Sequence, residues 1–276
     1  MTCPRGAAVD YTPCRAPIDG LAPNHVAPKA ATIALLALVY SDTTTPTTTE
    51  HIMNTWGSQK VVDFISHVSG GCTTLCFEPF VVEVPETQHK SDGSCRTQSE
   101  EFSELSIPGG TGYSPDDYFA TVVIPVSQSC STSGSMGSTE INLDGAMVTL
   151  SPAISMGFNW CHADGSCGGA PKPMDAPWPV EWQTGYTHEV LHLLGAGYHS
   201  NMLQCLNPGV DQRDVLSCAN AEYTDYYDLL GSSNGWAPNL NARSRYHFGW
   251  LGADDVIAVR YRGTHAIAPL NSDPAA

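Results

Sequence analysis

Residues 187–200 read THEVLHLLGAGYHS, and the interpretation of the whole chain depends on this stretch. His188 and His192 are four positions apart, so on a helix both imidazoles leave the same face and can bind one cation. Glu189 lies one step further round that helix. The valine and leucines between these residues supply an apolar side, and Gly195 is the kind of residue at which such a helix ends.

A third ligand requires the chain to turn back after the helix. Gly195 can adopt the positive φ that such a turn needs. His199 then returns from the loop to complete a site of three nitrogens, with a fourth position left for water. Tyr198 is nearer to the helix, but a neutral phenol is a poorer zinc ligand than an imidazole. The alternatives that remain are Glu222, Asp225, His247 and a site without a third protein ligand.

The charge balance excludes several classes of partner. The chain has 276 residues, with 28 acidic against 12 basic side chains and a formal net charge of −16. A nucleic-acid-binding protein needs a basic face, and so does a protein that binds an anionic membrane surface. We therefore expect neither kind of partner, and we expect neutral or cationic substrates. Simple solubility explains the acidity equally well.

The N-terminus lacks the basic start and apolar stretch of a signal peptide. The only long apolar run, ATIALLALVY at 31–40, has ten residues, which is too short to span a bilayer and is typical of a buried strand. If the protein is secreted, this sequence is then a processed form from which the signal peptide and any propeptide are absent.

The ten cysteines predict disulfides, at most five of them, and hence an oxidising compartment. No CxxC pair occurs, which argues against a thiolate zinc site or a redox motif. Buried free thiols are the alternative, and the CPRG segment at 3–6 could instead act as a cysteine latch over a zinc site. The predicted bridges join the cysteines nearest in sequence, which are Cys3 with Cys14, Cys72 with Cys76, Cys161 with Cys167, and Cys205 with Cys218.

Hydrophobic patterning predicts an α+β fold, in which helices pack on a twisted mixed sheet. A helix follows a capping-box spacing at Thr47–Glu50 and is interrupted at Gly57. The polar stretch 86–116 is predicted to be a loop, and residues 127–140 form a Ser/Gly-rich region. The predicted strands are 31–40, 76–84, 118–126 and 145–153.

The motif at 188–200 resembles the long zinc motif of the metzincin endopeptidases. YDLLGSS at 227–233 and NARSRYHFGWL at 241–251 are similar to the gametolysin-like branch of that family, as are VVDFISHVSGG at 61–71 and VIPVSQSCSTSG at 123–134. The resemblance covers roughly residues 30–260 and is specific around the zinc helix.

The resemblance implies one metzincin-like catalytic domain over residues 1–276. Its twisted mixed β-sheet and two main helices would be followed by a smaller, irregular C-terminal subdomain. The N-terminal subdomain, about 1–195, would include the active-site helix, and 196–276 would form the C-terminal one. The implied function is a secreted zinc endopeptidase that cleaves proteins or peptides, with extracellular-matrix glycoproteins as a candidate substrate class.

In that mechanism one Zn²⁺, bound by His188, His192 and His199, activates water and polarises the scissile carbonyl, while Glu189 acts as general base. Tyr198 and Tyr226 are candidates for stabilising the oxyanion. The substrate would add as a strand near the Ser/Gly-rich region, with side-chain selection by residues around 231–238.

Two departures from the family pattern favour an alternative class. The third histidine is displaced by one residue, and Leu230 occupies the place of the methionine that forms an apolar floor beneath the metal. Ser232 stands where some metzincins have a tyrosine ligand. The alternative is an inactive extracellular binding or structural module, although such a module has no use for Glu189. The sequence does not indicate the oligomeric state.

Overall fold

The computed structural model describes residues 3, 5, 6, 8–16, 25–42, 47–94, 106–108, 110–126, 135–155, 180–204, 219–223, 225, 228–231 and 239–255. The chain divides into two compact units. The first comprises Met1–Val9, Ala30–Asp63 and Thr74–Pro177, and the second comprises Asp10–Lys29, Phe64–Thr73 and Trp178–Ala276. The boundary predicted near residue 195 lies inside the second unit, and the single catalytic domain stays a prediction.

The described chain contains both helices and strands, and five strands follow one another between the second and third α-helices, which confirms the α+β class. The strands are β1 (Ala30–Tyr40), β2 (Thr74–Val84), β3 (Ser106–Ile107), β4 (Ala120–Val126), β5 (Ser135–Leu143), β6 (Ala146–Ser155), β7 (Asn201–Gln204) and β8 (Ala219–Glu222). The α-helices are α1 (Thr49–Thr55), α2 (Gln59–Val68), α3 (Val180–Leu193) and α4 (Ala242–His247), and short 3₁₀ turns cover Pro115–Asp117 and Ala253–Asp255.

The first unit contains a six-stranded mixed sheet in the order β2-β1-β4-β6-β5-β3. β1 pairs in parallel with both β2 and β4, and β4 pairs in parallel with β6. Parallel neighbours need a crossover connection, which α1 and α2 supply between β1 and β2. β5 runs antiparallel to β6, so the predicted mixed sheet is confirmed.

The apolar run of β1 makes it an interior strand of this sheet. Residues 33–37 are fully buried, which is the pattern of a parallel strand covered on both faces rather than one. β2 lies at the edge, where Pro79 is tolerated because an edge strand has backbone groups that need no partner within the sheet. The strands predicted at 31–40, 76–84, 118–126 and 145–153 are all confirmed within two residues.

The β5–β6 hairpin was not predicted, because the Ser/Gly-rich composition of 127–140 has no alternating apolar pattern that would indicate a strand. Its turn is Asp144-Gly145, with φ of 53° and 84°. Positive φ at both central residues is what a two-residue hairpin turn of the right twist requires, and Asp-Gly adopts it readily. The predicted loop at 86–116 likewise contains the short strand β3.

The predicted first helix forms as two pieces, with the interruption at Gly57 confirmed. The N-cap is Thr48, whose side chain accepts from the His51 amide, so the capping box at Thr47–Glu50 is wrong by one residue. A Cβ on Gly57 would lie 3.1 Å from the Cβ of Phe77, which explains why the connection between α1 and α2 has no side chain there.

The second unit contains α3, α4 and the β7–β8 pair. Its C-terminal part is tied to the segments before β1 and β2. The amide of Ala27 donates to the Phe248 carbonyl at 3.0 Å, and the indole of Trp250 donates to Thr73 Oγ1 at 2.9 Å. Within the described part of the chain, no helix combines the length and apolarity needed to cross a membrane.

Two disulfides are confirmed, but their connectivity is not the local one predicted. Cys3 bonds to Cys76 within the first unit, and Cys14 bonds to Cys72 within the second, each with Cα atoms 5.6 Å apart. Cys72 and Cys76 cannot bond to each other, because the chain between them is entering the extended strand β2. Four extended residues span roughly 13 Å, well beyond disulfide reach. The bond from Cys3 also excludes the latch interpretation of CPRG. The other six cysteines lie outside the described residues.

Candidate metal centre

The helix α3 presents its two histidines from a buried position. His188 and His192 are 4% and 8% exposed, and the apolar side chains of residues 190, 191, 193 and 194 are buried around them. The helix ends with two hydrogen bonds, from the Gly195 amide to the His192 carbonyl and from the Ala196 amide to the Leu191 carbonyl. This pair is the Schellman arrangement, in which the residue after the cap takes a positive φ. Gly195 has φ +115°, so the predicted turn is confirmed.

Three imidazole nitrogens converge beyond this turn. The Nε2 atom of His192 lies 3.0 Å from that of His188 and 3.1 Å from that of His199. A tetrahedral zinc ion with Zn–N bonds near 2.0–2.1 Å would hold its ligand nitrogens about 3.3 Å apart, a few tenths more than these two distances. All three ligand nitrogens lie within 4.8 Å of one another. The cluster could therefore hold a metal ion. Within the described residues, no other group of three or more His, Cys, Asp or Glu side chains has this arrangement.

Backbone carbonyls determine which nitrogens of the cluster carry hydrogen. His188 Nδ1 lies 2.7 Å from the Leu229 carbonyl oxygen, and His192 Nδ1 lies 2.5 Å from that of Ala196. A carbonyl can only accept, so each Nδ1 donates and each neutral ring has a bare lone pair at Nε2. The two lone pairs face each other at 3.0 Å. Without a cation between them this contact is repulsive, so the arrangement suits a bound cation.

Burial keeps these ligands in the form that binds metal. It lowers the pKa of His188 to about 4 and also lowers the pKa of His192. Neutral imidazoles are the metal-binding species. Burial has the opposite effect on the half-buried Glu189, where it raises the pKa of the carboxyl.

Two of the alternative third ligands, His247 and Asp225, do not belong to the cluster. His247 packs edge-on against Tyr198, with ring centroids 4.7 Å apart. Asp225 accepts a hydrogen bond from Asn241 Nδ2 at 3.2 Å. The side chain of Glu222 lies outside the described residues. His199 is the residue that joins the two helix histidines.

The turn that includes Leu230 lies directly against the cluster. Leu230 is fully buried, and its carbonyl accepts from the amide of Ser200, the residue after His199, at 3.0 Å. The preceding carbonyl, that of Leu229, is the acceptor for His188 Nδ1. The turn therefore contacts His188 through one backbone oxygen and the residue after His199 through the next.

Among the described tyrosines, Tyr223 reaches the cluster, and sequence reasoning missed it. Its hydroxyl lies 2.8 Å from His199 Nε2, and the two ring centroids are 3.9 Å apart. Tyr198 instead contacts His247 and the guanidinium of Arg243. Tyr226 lies outside the described residues. So do residues 127–134 and 232–238, which belong to the regions predicted to bind and select the substrate.

The β7–β8 register explains how Tyr223 arrives there. Asn201 pairs with Glu222, so the next step outward brings Tyr223 opposite Ser200 and beside His199. A usable signal was the predicted Cys205–Cys218 bridge. If the two cysteines are opposite each other, moving one residue back from the first and one forward from the second places Gln204 opposite Ala219, and these two residues do pair. Four residues further along each strand, Ser200 lies opposite Tyr223.

No protein-family model matches this sequence, and neither the curated proteins nor the solved structures include a match to it.

Proposed function

We propose that the protein is a zinc-dependent endopeptidase of the metzincin type, similar to the gametolysin-like branch. The observation that supports this proposal most is the convergence of three Nε2 atoms. Two of them carry no hydrogen, because the Nδ1 atom of the same ring donates to a backbone carbonyl. Three nitrogen ligands favour zinc or a related transition metal over Mg²⁺ and Ca²⁺, which prefer oxygen. The glutamate beside His188 makes the site suited to hydrolysis rather than to structure alone.

His188, His192 and His199 would hold the ion, which supplies Lewis acidity toward water and a carbonyl oxygen. Glu189 accepts a proton from the attacking water and then delivers it to the departing amine nitrogen. Its burial suits this exchange, because a carboxyl with a raised pKa is closer to the working pH.

We assign the oxyanion role to Tyr223 rather than to Tyr198, whose ring contacts His247 and Arg243 instead. The Tyr223 hydroxyl is a donor that already lies at the ligand nitrogen of His199. A phenol in that position can donate to the oxygen on which charge develops as the peptide carbonyl is attacked. The proposed substrates are proteins or peptides, including extracellular-matrix glycoproteins. The two disulfides support an oxidising, extracellular location.

The test combines metal analysis with peptide cleavage. Purified protein should contain about one zinc per chain, and a chelator should abolish cleavage of casein or gelatin. Glu189→Gln should retain zinc and lose about 10²–10⁴-fold in cleavage rate, because only the proton acceptor is removed. Glu83→Gln makes the same change at an exposed position of β2 and should cleave as the wild type does.

Other outcomes decide against the proposal. Equal cleavage by wild type and Glu189→Gln would refute the general-base role. A zinc-loaded wild type that cleaves nothing across a broad peptide library would favour the extracellular binding module instead.

A further inference from the structure

Asp228 is a fully buried carboxylate that the proposed chemistry does not use. It lies immediately before Leu229, whose carbonyl contacts His188, and Leu230, whose carbonyl accepts from the amide of Ser200. A buried charge is costly unless hydrogen bonds compensate it. Three donors do so here: the amide of Leu230, the amide of Asn241 and the hydroxyl of Ser244.

The first carboxylate oxygen shapes the turn itself. Oδ1 accepts from the Leu230 amide at 2.7 Å, which is an Asx turn, and the Asp228 carbonyl accepts from the Gly231 amide at 2.9 Å. The two bonds together restrict the backbone dihedrals of residues 229 and 230. The directions of the Leu229 and Leu230 carbonyls are restricted with them.

The second carboxylate oxygen joins this turn to the start of α4. Oδ2 accepts from the Asn241 amide at 2.7 Å and from Ser244 Oγ at 3.0 Å. Asn241 is the N-cap of that helix, and its own side chain accepts from the Ser244 amide. The turn is thus held against a helix terminus whose geometry is independently fixed.

The carbonyls held in this way orient two of the candidate ligands. The Leu229 oxygen accepts from His188 Nδ1 at 2.7 Å, and the Leu230 oxygen accepts from the Ser200 amide, one residue after His199. We infer that Asp228 is a positioning residue of the metal centre. Through these two carbonyls it orients the side chain of His188 and positions the backbone beside His199. The inference rests on the metal site of the proposed function.

The charge of the Asp228 carboxylate determines which substitution tests its role. Burial raises the pKa of the Asp228 carboxyl, and its hydrogen-bond donors oppose that shift. All three partners donate, so the ionised carboxylate satisfies them best. Asp228→Asn keeps the size but replaces one acceptor with a donor, which leaves one of the two backbone amides facing an NH₂ group.

The measurement is the affinity for Zn²⁺, by competition with a chelator, together with the visible spectrum of the Co²⁺-substituted protein. Loss of an outer contact to a metal ligand typically weakens affinity 10–100-fold, and we expect Asp228→Asn to lose at least about tenfold and to shift the Co²⁺ bands. Asp63→Asn makes the same change at an exposed carboxylate of α2, which accepts from Gln59 Nε2 of the same helix. This control variant should remain within about threefold of wild type.

A purely structural role predicts a different result. Asp228→Asn would then lower thermal stability while the folded protein kept wild-type zinc affinity and an unchanged Co²⁺ spectrum, and the inference would be overturned. If Asp228→Asn does not fold, Asp228→Ser provides a short acceptor for the Leu230 amide without reaching α4, and it should weaken zinc binding in the same way. Failure of both variants to fold in the presence of zinc would assign Asp228 to the fold and also overturn the inference.

The two proposals fail separately. A wild type that binds zinc without cleaving peptides removes the proposed activity and leaves the role of Asp228 in place. Equal zinc affinities of wild type and Asp228→Asn remove that role and leave the activity in place.

Discussion

Replacing Gly195 with alanine tests whether the turn after α3 is what brings His199 to the cluster. Two effects oppose the alanine. The backbone φ of +115° at Gly195 lies outside the region that a residue with a side chain tolerates, and adopting it costs alanine about 1–3 kcal/mol. Its Cβ would also overlap the ring of His25, and displacing a packed ring costs about 1–3 kcal/mol more. We expect a loss of about 3 kcal/mol in the free energy of unfolding, or roughly 6–12 °C in the melting temperature.

Gly197→Ala is the matched control in the same turn. Gly197 is exposed, its φ is not positive, and no atom lies within 4 Å of an added Cβ. Its effect should stay within about 0.5 kcal/mol. Adding His25→Ala to the Gly195 variant should recover the part of the loss that comes from overlap and leave the part that comes from φ. The assays are thermal unfolding by circular dichroism and zinc affinity by chelator competition. If Gly195→Ala has the same thermal stability and the same zinc affinity as Gly197→Ala, the reasoning is refuted.

The remaining predictions concern the ligands, the tyrosine and the second disulfide. His199→Ala should lower zinc content well below one per chain, whereas His247→Ala should leave it unchanged; the opposite result by elemental analysis would reassign the third ligand. Tyr223→Phe should keep zinc bound and slow peptide cleavage about tenfold or more, and an unchanged rate would remove its oxyanion role. Replacing Cys14 and Cys72 together with alanine should cost about 2–5 kcal/mol in chemical denaturation, and a loss below about 1 kcal/mol would contradict this.

The strands and the helix that contains His188 and His192 were predictable because each has a strong local pattern. The run at 31–40 is apolar on both faces, and His188 with His192 has a spacing that only a helix uses to place both on one ion. The break at Gly57 was equally visible. These features depend on neighbouring residues, which is why one sequence suffices to find them.

The parts that were missed depend on contacts between distant residues. Tyr223 reaches His199 only through the β7–β8 register, and the bond from Cys14 to Cys72 crosses 58 residues. The β5 strand was obscured by its serine and glycine content, although Asp144-Gly145 was a readable hairpin signal. The role of Asp228 depends on three donors in two separate segments, which no local spacing reveals.

The nested pattern of the two disulfides has a consequence for oxidative folding. The native pairs are 73 and 58 residues apart, whereas Cys3 is eleven residues from Cys14 and Cys72 is four from Cys76. Short loops close more readily in an unfolded chain, so the first bonds to form should join the wrong, neighbouring partners.

Formation of the bond between Cys3 and Cys76 makes the Cys14–Cys72 bond easier to form. The route from Cys14 to Cys72 through that bond is about fifteen residues instead of 58, which raises their effective concentration roughly eightfold. Closure of the long pair therefore promotes closure of the pair inside it. We expect formation of these two bonds to depend on thiol exchange, with early local bonds that a disulfide isomerase removes and a late step in which the two described bonds appear nearly together.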